Sequence, residues 1–221
     1  MKSFATTAPI AAVLDVPAGR IRFVATDRTD TTVEVLPATA GKSRDEKAAE
    51  QTTVTYADGV LRITAPAADN QLFGASGAVE ITVQLPAGSR VEARTAAAEL
   101  RGVGRLGDVA FEGAYREIKI DEAASLRLSA TDGDIEIGRL GGSAEITTER
   151  GDIRVAEALG GSVVLRTRSG DIAITAAAGV SATLDAGTDH GRVSNALKND
   201  GSAGLDIRAT TTRGDITAVS L

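Results

Sequence analysis

From Val91 onward, apolar and polar residues alternate in short runs, and the runs recur. Alternation with a period of two marks strands that turn one face inward. Gly133-Asp134-Ile135-Glu136-Ile137, Gly151-Asp152-Ile153-Arg154-Val155, Gly170-Asp171-Ile172-Ala173-Ile174 and Gly214-Asp215-Ile216-Thr217-Ala218 share one pattern, with a degenerate copy at Gly191-Arg192-Val193. A second strand precedes three of these glycines at constant spacing: Ser125-Leu126-Arg127-Leu128, Ser143-Ala144-Glu145-Ile146 and Ser162-Val163-Val164-Leu165. Each unit therefore holds two strands joined by a glycine-containing turn, and a recurrence of about eighteen residues is the mark of a solenoid.

Laid in this register, the units give three apolar columns. The first reads Val91, Val109, Leu126, Ala144, Val163, Ala182, Leu205; the second reads Ala93, Phe111, Leu128, Ile146, Leu165, Leu184, Ile207. The third reads Leu100, Ile118, Ile135, Ile153, Ile172, Val193, Ile216. Outward positions supply a separate check. Lys119, Glu136 and Arg154 share one slot in successive units, as do Arg127 with Glu145 and Glu149 with Arg168. Opposite charges one coil apart attract across a parallel stack, whereas like charges there would repel. Leu140-Gly141-Gly142-Ser143 and Leu159-Gly160-Gly161-Ser162 read as corners between strands.

The first ninety residues are β-rich but less regular. Val16-Pro17-Ala18-Gly19 and Leu85-Pro86-Ala87-Gly88 are matching turns that suggest early coils. Thr53 to Thr64 predicts a hairpin around Asp58-Gly59. Ala38 to Gln51 reads as an exposed loop or a short helix. The expected organisation is an irregular β-rich region over 1–90 and solenoid repeats over 91–221, in one continuous domain.

The Ser-Gly-Asp-Ile unit, seen as Ser169-Gly170-Asp171-Ile172, with its Gly-Gly corners and the preceding Leu-Pro-Ala-Gly, resembles the bacterial putative-adhesin family of β-strand-repeat proteins. The resemblance spans Ile10 to Leu221 and is strongest from Leu126 to Ile174. It implies an all-β fold, a right-handed parallel β-helix (β-solenoid), and no established activity.

Composition narrows the function classes. Aromatics are 3% of the chain and Cys is absent, so no disulfide framework or thiolate metal site is possible. A net charge of -6 opposes capture of nucleic acid. The N-terminus lacks the apolar run of a signal peptide and no stretch has the length of a membrane span, so a cytoplasmic protein is expected.

Asp134, Asp152, Asp171 and Asp215 occupy one repeat position. A carboxylate row could bind Ca²⁺ or supply the acid/base pair of a polysaccharide-acting β-helix enzyme. The preferred reading is structural, with each Asp satisfying its own turn. His190, the sole histidine, could join Asp185 or Asp189 in a triad, but no nucleophile turn accompanies it, and it is read as a solvated loop residue. Gly102-Val103-Gly104-Arg105-Leu106-Gly107 fits a dinucleotide fingerprint letter for letter, yet strand-like sequence follows where a helix is required, so it reads as a corner. Tyr56, Phe73 and Tyr115 are too scattered for a stacking platform. No catalytic, cofactor-binding or metal residue is assigned. The expected function is a non-catalytic binding or scaffold module for a protein or glycan partner, as a monomer or end-stacked dimer. The alternative is a self-assembling structural β-helix, and an enzyme ranks third.

Overall fold

The computed structural model describes residues 1–66, 77–113 and 115–221. Among the described residues the chain is all-β with one short helix, and it forms two compact units, Met1–Arg116 and Glu117–Leu221. Residues 90 and 91, where the sequence sets its boundary, both lie inside the first unit.

The first unit contains β1 (Lys2–Ala5), β2 (Ala11–Asp15), β3 (Ala18–Thr26), β4 (Asp30–Pro37), α1 (Ser43–Gln51), β5 (Thr53–Ala57), β6 (Val60–Thr64), β7 (Val79–Pro86), β8 (Arg90–Arg94) and β9 (Ala97–Glu112). The early coils exist, but not in chain order. Strand β2 pairs in parallel with both β6 and β8, and β3 pairs in parallel with both β7 and β9. The β2–β3 coil is thus sandwiched between two later ones. Antiparallel strands cover the β6–β7 side: β5 lies on β6, β4 on β7, and β1 on β4.

The predicted hairpin is present, with Ala57 opposite Val60 and positive φ at Asp58 (50°) and Gly59 (75°). Those two angles make the tight turn whose twist matches the flanking strands. Ala38 to Gln51 resolves into a loop followed by α1. The helix is tied down by Asp45, whose Oδ1 accepts the Ala78 N–H at 3.0 Å and lies 3.3 Å from Lys42 Nζ. Alternate residues Ile21, Phe23 and Ala25 of β3 and Ile81, Val83 and Leu85 of β7 are buried, as the period of two requires. Phe23 pairs with Gly102, so the large ring sits beside a position without a side chain.

The second unit contains β10 (Ile118–Ser129), β11 (Ile135–Leu140), β12 (Ala144–Arg150), β13 (Ile153–Ala158), β14 (Gly161–Ser169), β15 (Ile172–Ala176), β16 (Ala182–His190), β17 (Val193–Ala196), β18 (Leu205–Arg213) and β19 (Ile216–Ser220). Successive strands alternate between two parallel ladders. One runs from the first half of β10 through β11, β13 and β15 to β19 and then β17. The other runs from the second half of β10 through β12 and β14 to β18 and then β16. Ile118, Ile135, Ile153 and Ile172 align as one column, each at most 1% exposed. Leu128, Ile146 and Leu165 align as another. Full burial of such side chains contributes roughly 1.5–3 kcal/mol each, which is what holds a core this poor in aromatics together.

The outer coils correct the sequence reading. The columns expected Leu205 beside Ala182 in a coil following β16–β17, with Ile207 continuing Leu165 and Leu184. Instead β18 lies between β14 and β16: Ile207 pairs with Val163 on one side and Leu184 on the other, and Leu205 pairs with Gly161 and Ala182. Relative to β14 the register is two residues off the expected one. The last coil in the chain is interior, and the β16–β17 coil lies outside it. The physical reason lies in the turn chemistry described next.

Candidate functional site

The repeated Gly-Asp turns stack into a continuous ladder. Asp134 Oδ1 accepts the Asp152 N–H at 2.8 Å, Asp152 Oδ1 accepts the Asp171 N–H at 2.8 Å, and Asp171 Oδ1 accepts the Asp215 N–H at 2.7 Å. Asp215 Oδ1 then accepts the Arg192 N–H at 2.9 Å. Each carboxylate is therefore an acceptor for the turn of the next coil outward. The glycines before Asp152, Asp171 and Asp215 are required by the close approach of a neighbouring turn: a Cβ on Gly151 would lie 2.2 Å from the Gly133 carbonyl oxygen, one on Gly170 2.1 Å from that of Gly151, and one on Gly214 2.0 Å from that of Gly170.

A row of threonines seals the same turns from inside. Thr167 Oγ1 donates to the Gly151 carbonyl at 3.1 Å, Thr211 to Gly170 at 3.1 Å, and Thr188 to Gly214 at 3.0 Å. Gly, Asp and Thr together satisfy backbone groups that a turn would otherwise leave to water. This ladder also fixes coil order. The coil carrying Arg192 where the others carry Asp can receive one neighbour but offers no carboxylate to a second, so it belongs at the outside of the stack.

The sole histidine is exposed on β16, in register with Arg213, and its carbonyl accepts the Gly214 N–H at 3.0 Å. Among the described residues no hydrogen bond joins its ring to Asp185 or Asp189. Gly102 to Gly107 lie within β9, where the strand bends from its pairing with β3 to its pairing with β8. Gly104 takes φ 78°, and a Cβ there would meet the Ala25 carbonyl oxygen at 2.1 Å, so the fingerprint is a corner. Tyr56 packs against Phe4 with ring centroids 5.3 Å apart, Tyr115 is exposed, and Phe73 lies outside the described residues.

Around the ladder the outward charges alternate as expected. Lys119 pairs in register with Glu136 and Glu136 with Arg154; Lys119 Nζ reaches Glu136 Oε2 at 2.7 Å, and Arg166 reaches Glu145 at 3.4 Å. Away from these rows, the ion pair with Arg28 holds Asp30 below the usual carboxylate range, and the Ser202 N–H does the same for Asp200. Among the described residues of the first unit, grooves open on the outer faces of the sheets. One, of ≈360 Å³, is lined by Arg20, Ile21, Arg22, Glu80, Glu99 and Arg101; another, of ≈230 Å³, includes Asp15, Arg62, Glu92 and Arg94. Sequence reasoning missed both, because their rows exist only once β2 and β3 are slotted between later strands. No helix among the described residues is long and apolar enough to cross a membrane.

The Toastrack DUF4097 family model matches residues 104–218, just over half of the chain. The chain belongs to this family. The Toastrack chain is also similar to solved structures at low identity. One is a putative cell adhesion protein from Clostridium sporogenes ATCC 15579, at 11% identity and TM-score 0.42, covering 100% of this chain and 99% of that one. Others are putative adhesins from Bacteroides fragilis NCTC 9343, at 14% identity, TM-score 0.38 and coverage of 99% and 95%, and from Parabacteroides distasonis ATCC 8503, at 14% identity, TM-score 0.40 and the same coverage. A search of the curated proteins finds no match to the Toastrack chain.

Proposed function

We propose that this Toastrack protein is a non-catalytic binding or scaffold module, built as a right-handed parallel solenoid with coils of about eighteen residues. The register stepping through Ile118, Ile135, Ile153 and Ile172 supports the coil length. The observation that carries the functional reading is the aspartate ladder. Its four carboxylates, the strongest candidates for acid/base or cation chemistry, are each hydrogen-bonded to the backbone of a neighbouring coil. What remains for a partner is the set of flat outer faces, with their rows of Ser, Thr, Arg and Glu. A protein or glycan surface is the occupant such faces suit.

The second reading, end-to-end stacking, is favoured by one feature. Strands β16 and β17 have ladder partners on one side only among the described pairings, and an open parallel edge is a template for another strand. Size-exclusion chromatography with light scattering separates the two readings. A single mass over a wide concentration range is expected, and a concentration-dependent ladder of masses would overturn the module reading in favour of stacking.

A further inference from the structure

The β18–β19 coil lies between two others that fit each other without it. Across β18, Gly161, Val163 and Leu165 of β14 stand in line with Ala182, Leu184 and Ala186 of β16; across β19, Ile172 of β15 stands in line with Val193 of β17. The step is 21 residues on one ladder, from Gly161 to Ala182, and the same 21 on the other, from Ile172 to Val193. One register therefore lets β16–β17 close directly on β14–β15, with the same residues facing inward on both sheets.

The turn chemistry repeats in that register. Thr211 Oγ1 donates to the Gly170 carbonyl and the Gly170 N–H to the Arg213 carbonyl; one coil further out, Thr188 and His190 make the same two bonds with Gly214. Asp171 Oδ1 accepts the Asp215 N–H, as Asp215 Oδ1 accepts the Arg192 N–H. The Ile172 N–H donates to the Asp215 carbonyl, as the Ile216 N–H donates to that of Arg192. At the turn, each bond from the inner coil to β18–β19 has its counterpart in β16–β17. Withdrawing the inserted coil thus leaves a stack that can close, instead of a row of orphaned backbone groups.

The withdrawn segment still needs a slot, because Leu205, Ile207, Ala209, Ile216 and Ala218 are all 0% exposed in place. Its tether is the linker 197–204, exposed from Lys198 to Gly204 and held by Ser181, whose Oγ accepts the Asp200 N–H at 3.1 Å and whose carbonyl accepts the Gly204 N–H at 2.9 Å. The slot is selective. It requires a glycine where a Cβ would lie 2.0 Å from the Gly170 carbonyl oxygen, an N–H for Asp171, a carboxylate for the Arg192 N–H, and a cation in register with Asp185, where Arg208 stands. A second copy of this chain carries that segment.

We propose that β14–β15 and β16–β17 form a strand slot that takes the β18–β19 coil of a second copy in place of its own, so that two chains exchange everything from Leu205 onward in a two-fold dimer. Both ladders have to open first, so exchange is reached by refolding and not by concentrating folded protein, and it is independent of the binding-module reading. A short flexible linker holds the chain's own segment at an effective concentration on the order of 1 mM. Refolding at about 0.1 mM should therefore send roughly a tenth of the chains into the dimer, and refolding at about 1 μM roughly a thousandth.

The chain has no cysteine, so a disulfide can report the exchange. Arg166 and Thr210 are exposed and in register between β14 and β18, at a strand spacing of about 4.8 Å that a disulfide can bridge. Arg166→Cys is placed in one full-length chain and Thr210→Cys in another, and the two are unfolded and refolded together in an oxidising buffer. A bridged dimer of the two variants is expected by light scattering and non-reducing electrophoresis. It should survive dilution and be about a hundredfold scarcer after refolding at the lower concentration. Arg154→Cys, on the other ladder, should give no bridge when it replaces Arg166→Cys. A dimer without the 166–210 bridge, equal bridging from the Arg154→Cys chain, equal yield at both concentrations, or monomer alone at about 0.1 mM would overturn the exchange.

Discussion

Replacing Asp171 separates the two effects that the aspartate ladder sets against each other. The side chain accepts the Asp215 N–H at 2.7 Å, and its own N–H donates to Asp152. A hydrogen bond to a charged acceptor contributes about 2 kcal/mol net. Against it stands repulsion from the carboxylates of Asp152 and Asp215, one coil away on each side. At a coil spacing of about 4.8 Å, each pair repels by roughly 0.9 kcal/mol in water before screening. A screening length of about 8 Å at physiological salt leaves near half of that, or about 1 kcal/mol for the two neighbours together.

Asp171→Ala therefore loses about 2 kcal/mol of hydrogen bonding and regains about 1, for a net cost near 1 kcal/mol. Asp171→Asn keeps an oxygen acceptor of neutral strength, about 1 kcal/mol, and also relieves the repulsion, so it should fall close to the parent. At this chain length 1 kcal/mol moves Tm by about 2–4 °C. Thermal melts of parent and both variants, at physiological and at low salt, check the ranking. Lowering the salt to about 0.01 M should lift both variants relative to the parent by a further ~0.5 kcal/mol, because less-screened repulsion burdens only the intact ladder. Millimolar calcium should leave the parent's Tm unchanged. If Asn is as damaging as Ala, or if calcium stabilises the parent and not the Asn variant, the charge rather than the acceptor is what the position supplies, and the structural account of the ladder is refuted.

Two further outcomes follow from burial and from a displaced pKa. Ile153→Asp places a carboxylate in a column where the parent side chain is 0% exposed, flanked by Ile135 and Ile172, and should cost several kcal/mol, about 4 or more, in chemical denaturation. Unchanged unfolding would show the column to be wrong. Asp45 is held below the usual carboxylate range first by the Ala78 N–H and then by Lys42, so its contribution to stability is complete above its unfolded pKa of about 3.9 and is lost as pH falls through the lower folded value. Asp45→Asn should flatten the acid limb of a stability-against-pH curve in that window, and an unaltered limb would mean the anchor of α1 carries no pH-linked stability.

The parts of this fold that could be read from sequence are those where the repeat runs unbroken. Ile135, Ile153 and Ile172 fall at one place in three consecutive units, and nearest neighbours in the chain are nearest neighbours in the stack, so the column and the Lys119–Glu136–Arg154 charge row follow directly. The hairpin at Asp58-Gly59 was legible because two residues with positive φ allow few other turns. Coil order at the outer positions was not legible. Periodicity says which residues occupy equivalent places in a coil but not which coil lies beside which. The β2–β3 coil sits between β6–β7 and β8–β9, and the β18–β19 coil sits between β14–β15 and β16–β17, against chain order in both units. The groove lined by Arg20, Arg22 and Arg101 was hidden for the same reason, since it is assembled by the first of these insertions.

One sequence signal did mark the second insertion: the irregular copy Gly191-Arg192. The ladder has a direction, with each carboxylate receiving the N–H of the coil outside it, from Asp134 through Asp152, Asp171 and Asp215 to Arg192. A coil that ends such a series needs the N–H but has no use for the carboxylate, and Arg192 meets that specification. The inward positions taper in step. Ile172 and Ile174 of β15 are followed outward by Ile216 and Ala218, then by Val193 and Asn195, and every residue of β17 is exposed. Stacking a second molecule on this coil would require its turn N–H to dock on a guanidinium and its apolar column to meet an Asn. Both features weigh against an open, self-propagating end and in favour of a solenoid that closes its own series.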